Sequence, residues 1–298
     1  MSRIAYVNGC YLSHGGASVH IEDRGYQFAD GVYEVVAVQG GELIDEELHL
    51  ARLDRSLGEL RIGAPMSRRA LSLVLREVIR RNRVRDGIVY LQATRGVAPR
   101  DHPFPAETRP SLVITARRAR PANPKALSEG IKVITIPDIR WARCDIKSIG
   151  LLPNVLGKQQ AREVGAFEAW QVDANGMVTE GTSTNAWIIT PSGELVTRQA
   201  SSAILNGCTR LALLEIARWV GLTFVERPFS VAEAKAAREA FLSSTTAPVL
   251  PIVRIDDTTI GDGRPGPLGT KLHELYAAHS REQLGREQIA RSGEVRVA

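Results

Sequence analysis

Strand and helix signals mix irregularly along both halves of this chain, and the mixture constrains its fold more than any other feature. In the first half, Val32–Val38 is rich in β-branched residues and stops at Gly40-Gly41, which is typical of a hairpin. Two segments follow, 46–62 and 67–82, whose apolar residues recur every three or four positions and predict helices. The regular strand–helix alternation of a doubly wound sheet is absent, so the sequence predicts a mixed α+β fold.

A proline-containing segment separates the two halves. Residues 119–130 include Pro121 and Pro124 and show little periodicity, as linkers do. We therefore expect a smaller N-terminal α/β domain over residues 1–118, a linker over 119–130 and a larger C-terminal domain over 131–280. Residues 281–298 are expected to form a polar C-terminal tail. The length of 298 residues agrees with two domains, since about 150 residues per domain is typical.

The composition is that of a globular protein, with 44% hydrophobic and 24% charged residues. No apolar stretch approaches the roughly 20 residues that cross a bilayer, and the N-terminal segment lacks the pattern of an export signal. Cys10, Cys144 and Cys208 are too scattered for a disulfide framework or a zinc site. We expect a cytoplasmic protein in a reducing compartment.

Several common chemistries lack their motifs. The glycine-rich segment 261–271 ends in Gly-Thr-Lys where a phosphate loop needs Gly-Lys-Ser/Thr, and its GxGxxG spelling contains Pro265. No two histidines stand at metal-ligand spacing, and there is no GxSxG motif. We therefore expect no metal site and no serine hydrolase or P-loop activity.

Lysine is scarce in this chain, and one of its six lysines, Lys147, lies in a segment with a buried pattern. The chain has 38 basic residues, but almost all are arginines, spread over its whole length. Lys147 lies between Ile146 and Ile149 in a segment with a buried pattern. A partly desolvated lysine can serve as a nucleophilic amine, whereas the alternative is a side chain that reaches out to solvent. If the protein uses a Schiff base, Lys147 is the candidate.

Three hydroxyl-rich segments could bind an anion. TEGTSTN (179–185) places Glu180 at a strand end, LNGCTR (205–210) opens a helix with Cys208 and Thr209, and SSTT (243–246) closes a strand. A helix N-terminus favours phosphate, since its first N–H groups are unpaired and its dipole is positive there. Taken alone, TEGTSTN is more commonly a solvated turn, LNGCTR is equally well explained as a plain N-cap, and SSTT can also be a simple turn.

A stiff loop carries two residues that can bind a carboxylate. In RGVAPRDHPFP (95–105), Arg100 and His102 lie two positions apart among three prolines. Arginine pairs with carboxylates through two parallel hydrogen bonds, so a substrate clamp is reasonable here. In a chain so rich in arginine, an exposed surface residue is the alternative.

These segments, in this order, resemble the fold-type IV pyridoxal-phosphate aminotransferases, most closely the D-amino acid aminotransferases. The resemblance covers nearly the whole chain except the tail. It also includes EDRGYQFADGVYEVV (22–36), HLARL (49–53), DIRWARCDIKSIGLL (138–152) and VTEGTSTN (178–185). Three departures concern pocket polarity: Gly150 stands where asparagine is common, Cys208 replaces an aliphatic residue, and Thr182 and Thr184 replace serines.

The resemblance implies a cofactor, pyridoxal 5'-phosphate (PLP), between a small domain and a pseudo-barrel domain. Lys147 would form the Schiff base, and Glu180 would pair with the pyridine nitrogen. Ser183 would lie close to the phosphate. The phosphate would be held by Arg52, Cys208, Thr209, Ser244 and Thr245.

The resemblance also implies the substrates and an assembly. Tyr33, Arg100 and His102 would trap the substrate carboxylate, and the last two would come from the neighbouring subunit of a homodimer. Tyr90 would line the pocket. The reaction would be transamination of a D-amino acid such as D-alanine or D-glutamate, with 2-oxoglutarate or pyruvate as acceptor.

Alternatives remain within and outside the fold. A branched-chain L-aminotransferase, an R-selective amine transaminase and an aminodeoxychorismate lyase share it, and the Arg100/His102 pair with Tyr33 favours D-amino acids among them. The arginine-rich helix over residues 68–85 suggests nucleic-acid binding as an alternative function. However, its arginines fit a solvated helix face, and no recognition motif accompanies them. We expect no nucleic-acid or membrane partner.

Overall fold

The computed structural model describes residues 3–119 and 124–292. Within these ranges the chain divides into two compact units. The first contains residues 3–119, 146–150 and 281–292, and the second contains residues 124–145 and 151–280. The return of Ile146–Gly150 to the first unit places Lys147 there, which local sequence patterns do not indicate.

The first unit is built on a sheet of six described strands in the order β2-β1-β6-β5-β3-β4, with every pairing antiparallel. The strands are β1 (Ile4–Val7), β2 (Cys10–Ser13), β3 (Gly31–Gln39), β4 (Glu42–Leu43), β5 (Gly87–Thr94) and β6 (Ser111–Arg118). The helices are α1 (Arg24–Phe28), α2 (Glu46–Glu59) and α3 (Arg68–Asn82).

Alternation along β3 decides which side chains reach the core of this unit. Val32, Glu34 and Val36 are buried, whereas Tyr33 between them is only half-buried. The two sets point to opposite faces because successive strand residues alternate. Leucines of α2 and α3 pack in the same core as the valines of β3, so the buried carboxylate of Glu34 lies on the helix-covered face.

The second unit is built on a sheet of nine described strands, β7 to β15, with β15 paired to β14 off the main path. The order along that path is β12-β11-β10-β13-β14-β7-β8-β9. The strands are β7 (Ile131–Pro137), β8 (Glu168–Val172), β9 (Val178–Gly181), β10 (Asn185–Ile189), β11 (Leu195–Thr197), β12 (Phe224–Glu226), β13 (Glu239–Ser244), β14 (Ala247–Ile255) and β15 (Thr258–Thr259). The last strand of the path, β9, lies against β10, so the sheet curls on itself.

Helices complete this unit, and large aromatic residues fill it. The helices are α4 (Pro124–Ser128), α5 (Leu152–Glu163), α6 (Cys208–Trp219), α7 (Val231–Lys235) and α8 (Pro267–Ser292), of which α8 continues into the first unit. Trp187 is fully buried and stacks on Phe241 with ring centroids 5.5 Å apart. The apolar residues of α6 share that core, which fixes where the helix begins.

The expected α+β class is confirmed, and the predicted elements agree closely with the structure. The predicted helix over 67–82 is α3, and Ser67 caps it because its Oγ accepts from the backbone N–H of Ala70. Among the described residues, no helix combines the length and apolar character needed to span a membrane.

Two segments differ from expectation. The described part of the expected linker holds a helix, α4, while residues 120–123 lie outside the described residues. The last helix, α8, continues to Ser292 through residues that were expected to form a polar tail. Gln283 there bonds the side chain of Asp45 at 2.7 Å, so this part of the tail packs on the first unit. The domain limits at 118, 131 and 280 stay predictions.

Candidate active site

Lys147 lies beside β3 in the first unit. Its carbonyl accepts from the backbone N–H of Tyr33 at 3.0 Å, and its backbone N–H donates to Ser56 Oγ on α2 at 3.3 Å. Ile149 N–H bonds the carbonyl of Gly31, so the segment is tied to the strand on both sides of the lysine. The side chain is half-buried, less covered than its apolar neighbours suggested. The structure therefore fixes the backbone of Lys147 while its side chain is only half-buried.

Two tyrosines share the face of the sheet near this amine. Nζ of Lys147 lies 4.3 Å from the ring centroid of Tyr33, and the rings of Tyr33 and Tyr90 are 5.7 Å apart. Tyr90 on β5 donates its hydroxyl to Gln92 at 2.6 Å, and burial raises the pKa of Tyr90 to about 12. The Tyr90 hydroxyl can therefore act as a neutral hydrogen-bonding group, and the two rings form an aromatic wall that suits a flat ligand.

Arg52 belongs to a buried network on the other face of β3. Its Nε and Nη2 bond the two oxygens of Glu34 at 2.7 and 2.8 Å, and His49 Nδ1 bonds the same carboxylate at 2.8 Å. Burial raises the pKa of Glu34, but the Arg52 charge and the hydrogen bonds of Arg52 and His49 outweigh it and lower this pKa to about 2. Glu34 is therefore an anion that orients the guanidinium expected to bind phosphate.

Arg100 and His102 lie in the loop that follows β5, and both are exposed. The guanidinium of Arg100 lies 5.0 Å from the ring centroid of Phe28, and the His102 ring lies 5.5 Å from the same ring. Phe28 therefore brings the two side chains of the predicted clamp to one place in the first unit.

Glu180 is buried at the end of β9 in the second unit, and positive or polar donors surround its carboxylate. Arg140 bonds one oxygen, Asn185 Nδ2 donates to the other at 3.1 Å, and the backbone N–H of Leu205 is 3.1 Å from both. Arg140 also bonds Asp138, and its charge and hydrogen bond lower the pKa of Asp138 although burial raises it. These donors fix both oxygens of the Glu180 carboxylate in place.

The N-terminus of α6 lies next to this carboxylate in the fold. The N-cap, Gly207, gives the helix no side-chain cap, and a Cβ there would come 2.2 Å from Asn185 Oδ1. Asn185 Nδ2 also donates to the carbonyl of Leu205 at 2.9 Å, so one side chain joins the helix start to Glu180. Cys208 and Thr209 occupy the first turn, and both are buried.

The turn between β13 and β14 adds hydroxyl groups at this edge of the second unit. Ser243 pairs with Asn185 across the strands, and Ser244 and Thr245 follow it directly. The backbone N–H of Ala247 donates to Ser244 Oγ at 3.1 Å. A helix N-terminus without a side-chain cap beside a hydroxyl turn fits a phosphate group.

The side chain of Ser183 is fixed by a second buried carboxylate, that of Glu168. Its Oγ donates to Glu168 at 3.1 Å, and the hydroxyls of Thr182 and Thr184 bond the same carboxylate. Glu168 is fully buried and therefore fixes the whole TST segment next to Glu180.

The structure thus gathers the predicted residues into two sets. In the first unit, Lys147 is with Tyr33 and Tyr90, while Arg52 and the Arg100/His102 pair occupy separate places. In the second unit, Asn185 links Glu180 to the α6 N-terminus and to the turn at Ser244. Within the described ranges, no cluster of three potential metal ligands occurs.

Sequence reasoning missed the residues that hold these groups. They are Arg24, Glu34, His49, Arg140, Glu168 and Asn185. The available signal was a charged residue inside an apolar or hydroxyl-rich segment, as at Glu34 in GVYEVV. Among so many arginines, no local signal separates Arg24 and Arg140 from surface residues.

Comparison with known proteins identifies the class. A family model described as amino-transferase class IV matches residues 31–255. The chain therefore belongs to the class IV aminotransferases, and PLP is the cofactor of this family. The predicted fold type and cofactor are confirmed.

Individual relatives narrow the class. The chain is 43% identical over 262 residues to a D-alanine aminotransferase of Bacillus licheniformis, covering 88% of this chain and 91% of that protein. A D-alanine aminotransferase of Staphylococcus haemolyticus is 40% identical over 273 residues, covering 91% and 95%. The resemblance to D-amino acid aminotransferases that the sequence motifs carried is confirmed.

Solved structures agree on the fold. The branched-chain amino acid aminotransferase of Escherichia coli superposes with a TM-score of 0.87 at 24% identity, over 94% of this chain and 95% of that one. The 4-amino-4-deoxychorismate lyase of Pseudomonas aeruginosa gives 0.78 at 25% identity, over 91% and 97%. These structures place the chain in the fold that the alternative activities share, whereas the closer sequence relatives act on D-alanine by name.

Proposed function

We propose that this protein is a PLP-dependent aminotransferase that transfers the amino group of a D-amino acid, with D-alanine as reference substrate, to a 2-oxo acid. The observation that carries the substrate class is the identity of about 40% to D-alanine aminotransferases over most of the chain. The fixed backbone of Lys147 and the position of its amine beside Tyr33 support the reaction type. D-glutamate is a second candidate amino donor, and 2-oxoglutarate and pyruvate are the candidate acceptors.

The residues of the second unit fit the cofactor. The α6 N-terminus at Cys208-Thr209, with Ser244 and Thr245, would hold the phosphate, and Ser183 would lie close by. Glu180 would pair with the pyridine nitrogen. Arg52 in the first unit would add a positive charge for the phosphate. PLP supplies the electron sink that makes the Cα–H of an attached amino acid acidic.

The chain's own residues then direct the proton transfer. Nζ of Lys147 removes the proton from Cα of the substrate as a general base and returns one as a general acid. Tyr33 shields one side of that amine, since its ring centroid lies 4.3 Å from Nζ. A carboxylate held by Arg100 and His102 leaves only one enantiomer with its Cα–H directed at the amine.

A homodimer belongs to this proposal. Arg100 and His102 are exposed in the first unit and would serve the site of the neighbouring subunit. Ile21 and Tyr26, on the segment that contacts this loop, are large apolar residues that are 77% and 78% exposed. Exposed apolar area of this kind is typical of a surface covered on assembly. A cytoplasmic location fits three free cysteines.

Steady-state kinetics test the proposed activity. Wild-type protein with PLP is given D-alanine and 2-oxoglutarate, and pyruvate is measured with lactate dehydrogenase. We expect turnover with D-alanine, none with L-alanine, and loss of turnover in Lys147→Ala. Faster turnover of L-leucine or of an (R)-amine would move the protein to one of the alternative activities of this fold.

A further inference from the structure

The loop that carries Arg100 and His102 is held to the first unit by side chains from outside the loop. Its residues from 99 to 104 are exposed and belong to no described strand or helix. We infer that Arg24 is a positioning residue for the substrate carboxylate, because it fixes the backbone at Asp101 and His102, directly after Arg100. This inference rests on the proposed function of the loop.

Arg24 reaches the loop from the start of α1. Its Nη1 donates to the carbonyl of Asp101 at 2.6 Å and its Nη2 to the carbonyl of His102 at 3.3 Å. The residue is 3% exposed. Charged donors make strong hydrogen bonds to carbonyl groups when water is excluded. Arg24 therefore fixes two consecutive peptide groups, one of which belongs to His102.

A shared carboxylate holds Arg24 itself. Its Nε bonds Asp30 at 2.8 Å, and Arg95 bonds the same side chain at 2.7 and 3.0 Å. Burial raises the pKa of Asp30, but the hydrogen bonds and charges of Arg95 and Arg24 lower it overall. Arg95 also donates to the carbonyls of Leu60 and Arg61 beyond α2, which ties the network to the core of the unit.

The backbone around Arg24 cannot shift to release the loop. The N–H of Arg24 donates to the carbonyl of Gly96 at 2.9 Å, and Asp23 caps α1 through the N–H of Gly25. Asp23 also accepts from Thr94 at 3.0 Å. A Cβ on Gly25 would lie 2.3 Å from a methyl group of Thr94, so α1 lies directly against the end of β5.

The same helix supports the clamp side chains. Phe28, one turn after Arg24, lies under the Arg100 guanidinium and beside the His102 ring. The Arg24 guanidinium is 4.8 Å from the same ring centroid. Arg24 thus holds the loop through bonds to Asp30, Asp101 and His102, and the substrate would meet only Arg100 and His102.

The test compares Arg24→Lys with wild type in the D-alanine reaction. Lysine keeps the charge but loses the fork that spans two carbonyls and Asp30. We expect KM for D-alanine to rise about tenfold, because small displacements of positioning groups weaken binding. The kcat and the Kd for PLP should stay within about twofold. An unchanged KM, or a parallel loss of kcat and PLP affinity, would overturn the inference.

A double-mutant cycle with Arg100→Ala separates positioning from general destabilisation. If Arg24 acts through the clamp, Arg24→Lys changes KM little once Arg100 is absent, whereas independent, additive effects contradict the inference. Arg76→Lys weakens a comparable arginine–carboxylate pair with Glu46 and should leave KM unchanged.

Two further experimental outcomes have a defined meaning for the inference. If Arg24→Lys does not fold, Phe28→Leu removes the ring under the clamp and must raise KM for the inference to stand. If wild type does not use D-alanine, the proposed function and the inference fail together. An active wild type whose KM is insensitive to Arg24 refutes the inference alone.

Discussion

Replacement of Glu34 by glutamine should destabilise the protein in a pH-dependent way. Glu34 is fully buried in the first unit and accepts from Arg52 and His49. In Glu34→Gln the buried guanidinium of Arg52 loses its counter-charge, although the amide keeps the shape of the side chain. A buried charge that loses its partner is strongly destabilising.

The magnitude follows from the pKa of Glu34. Arg52 and His49 lower it from 4.5 to about 2 against the opposing effect of burial, and at about 1.4 kcal/mol per pH unit this corresponds to about 3 kcal/mol at pH 7. Because the folded-state pKa is lowered, the contribution is present above the unfolded-state pKa. It is lost as the pH falls towards 2, and about 2 kcal/mol should remain at pH 3.5.

Urea unfolding of wild type and Glu34→Gln at pH 7 and pH 3.5, at one fixed PLP concentration, measures this contribution. We expect the difference in unfolding free energy to shrink by about a third between the two pH values. Glu77→Gln is the control, because Glu77 pairs with Arg80 and Arg81 on the outer side of α3. Such exposed pairs contribute little, so its effect should be much smaller. An equal difference at both pH values would refute the assigned role of Glu34.

Two other outcomes concern the second unit and the cysteines. Gly207→Ala should weaken PLP binding about tenfold in a fluorescence titration, because its methyl group would displace Asn185. The control Gly58→Ala on α2 places its methyl group in open space and should leave the affinity unchanged. Equal affinities of the two variants would contradict the close approach of Gly207 to Asn185. Burial raises the pKa of Cys144 to about 11, whereas Cys10 is exposed. Iodoacetamide at pH 8 should therefore label Cys10 first. Faster labelling of Cys144, measured by mass spectrometry, would contradict this expectation.

Local patterns were sufficient for most elements of the fold. The β-branched run of β3 and the spacing of leucines in α2 and α3 are strong periodic signals, and the structure places strands and helices there. The extension of α8 was missed because its polar residues suggested a tail. Contacts such as Gln283 with Asp45 join residues 238 positions apart, and no local pattern reports them.

The candidate site was predictable only where its residues form sequence motifs. Lys147 and Glu180 stood out as rare or isolated polar residues, and family resemblance assigned their roles. The residues that position the site groups act at long range: Arg140 bonds Glu180 across 40 positions, and Arg24 bonds Asp101 in the clamp loop across 77. Their importance comes from burial and partners, which the three-dimensional structure supplies.

The most direct measurement is the visible absorption spectrum of the PLP-loaded protein, recorded after addition of D-alanine to one sample and L-alanine to another. The account predicts that D-alanine alone removes the yellow band of the bound cofactor, and that Lys147→Ala shows no such cycle. Loss of the band with L-alanine alone would contradict the assignment to D-amino acids. A protein that stays colourless after incubation with PLP would contradict the account as a whole.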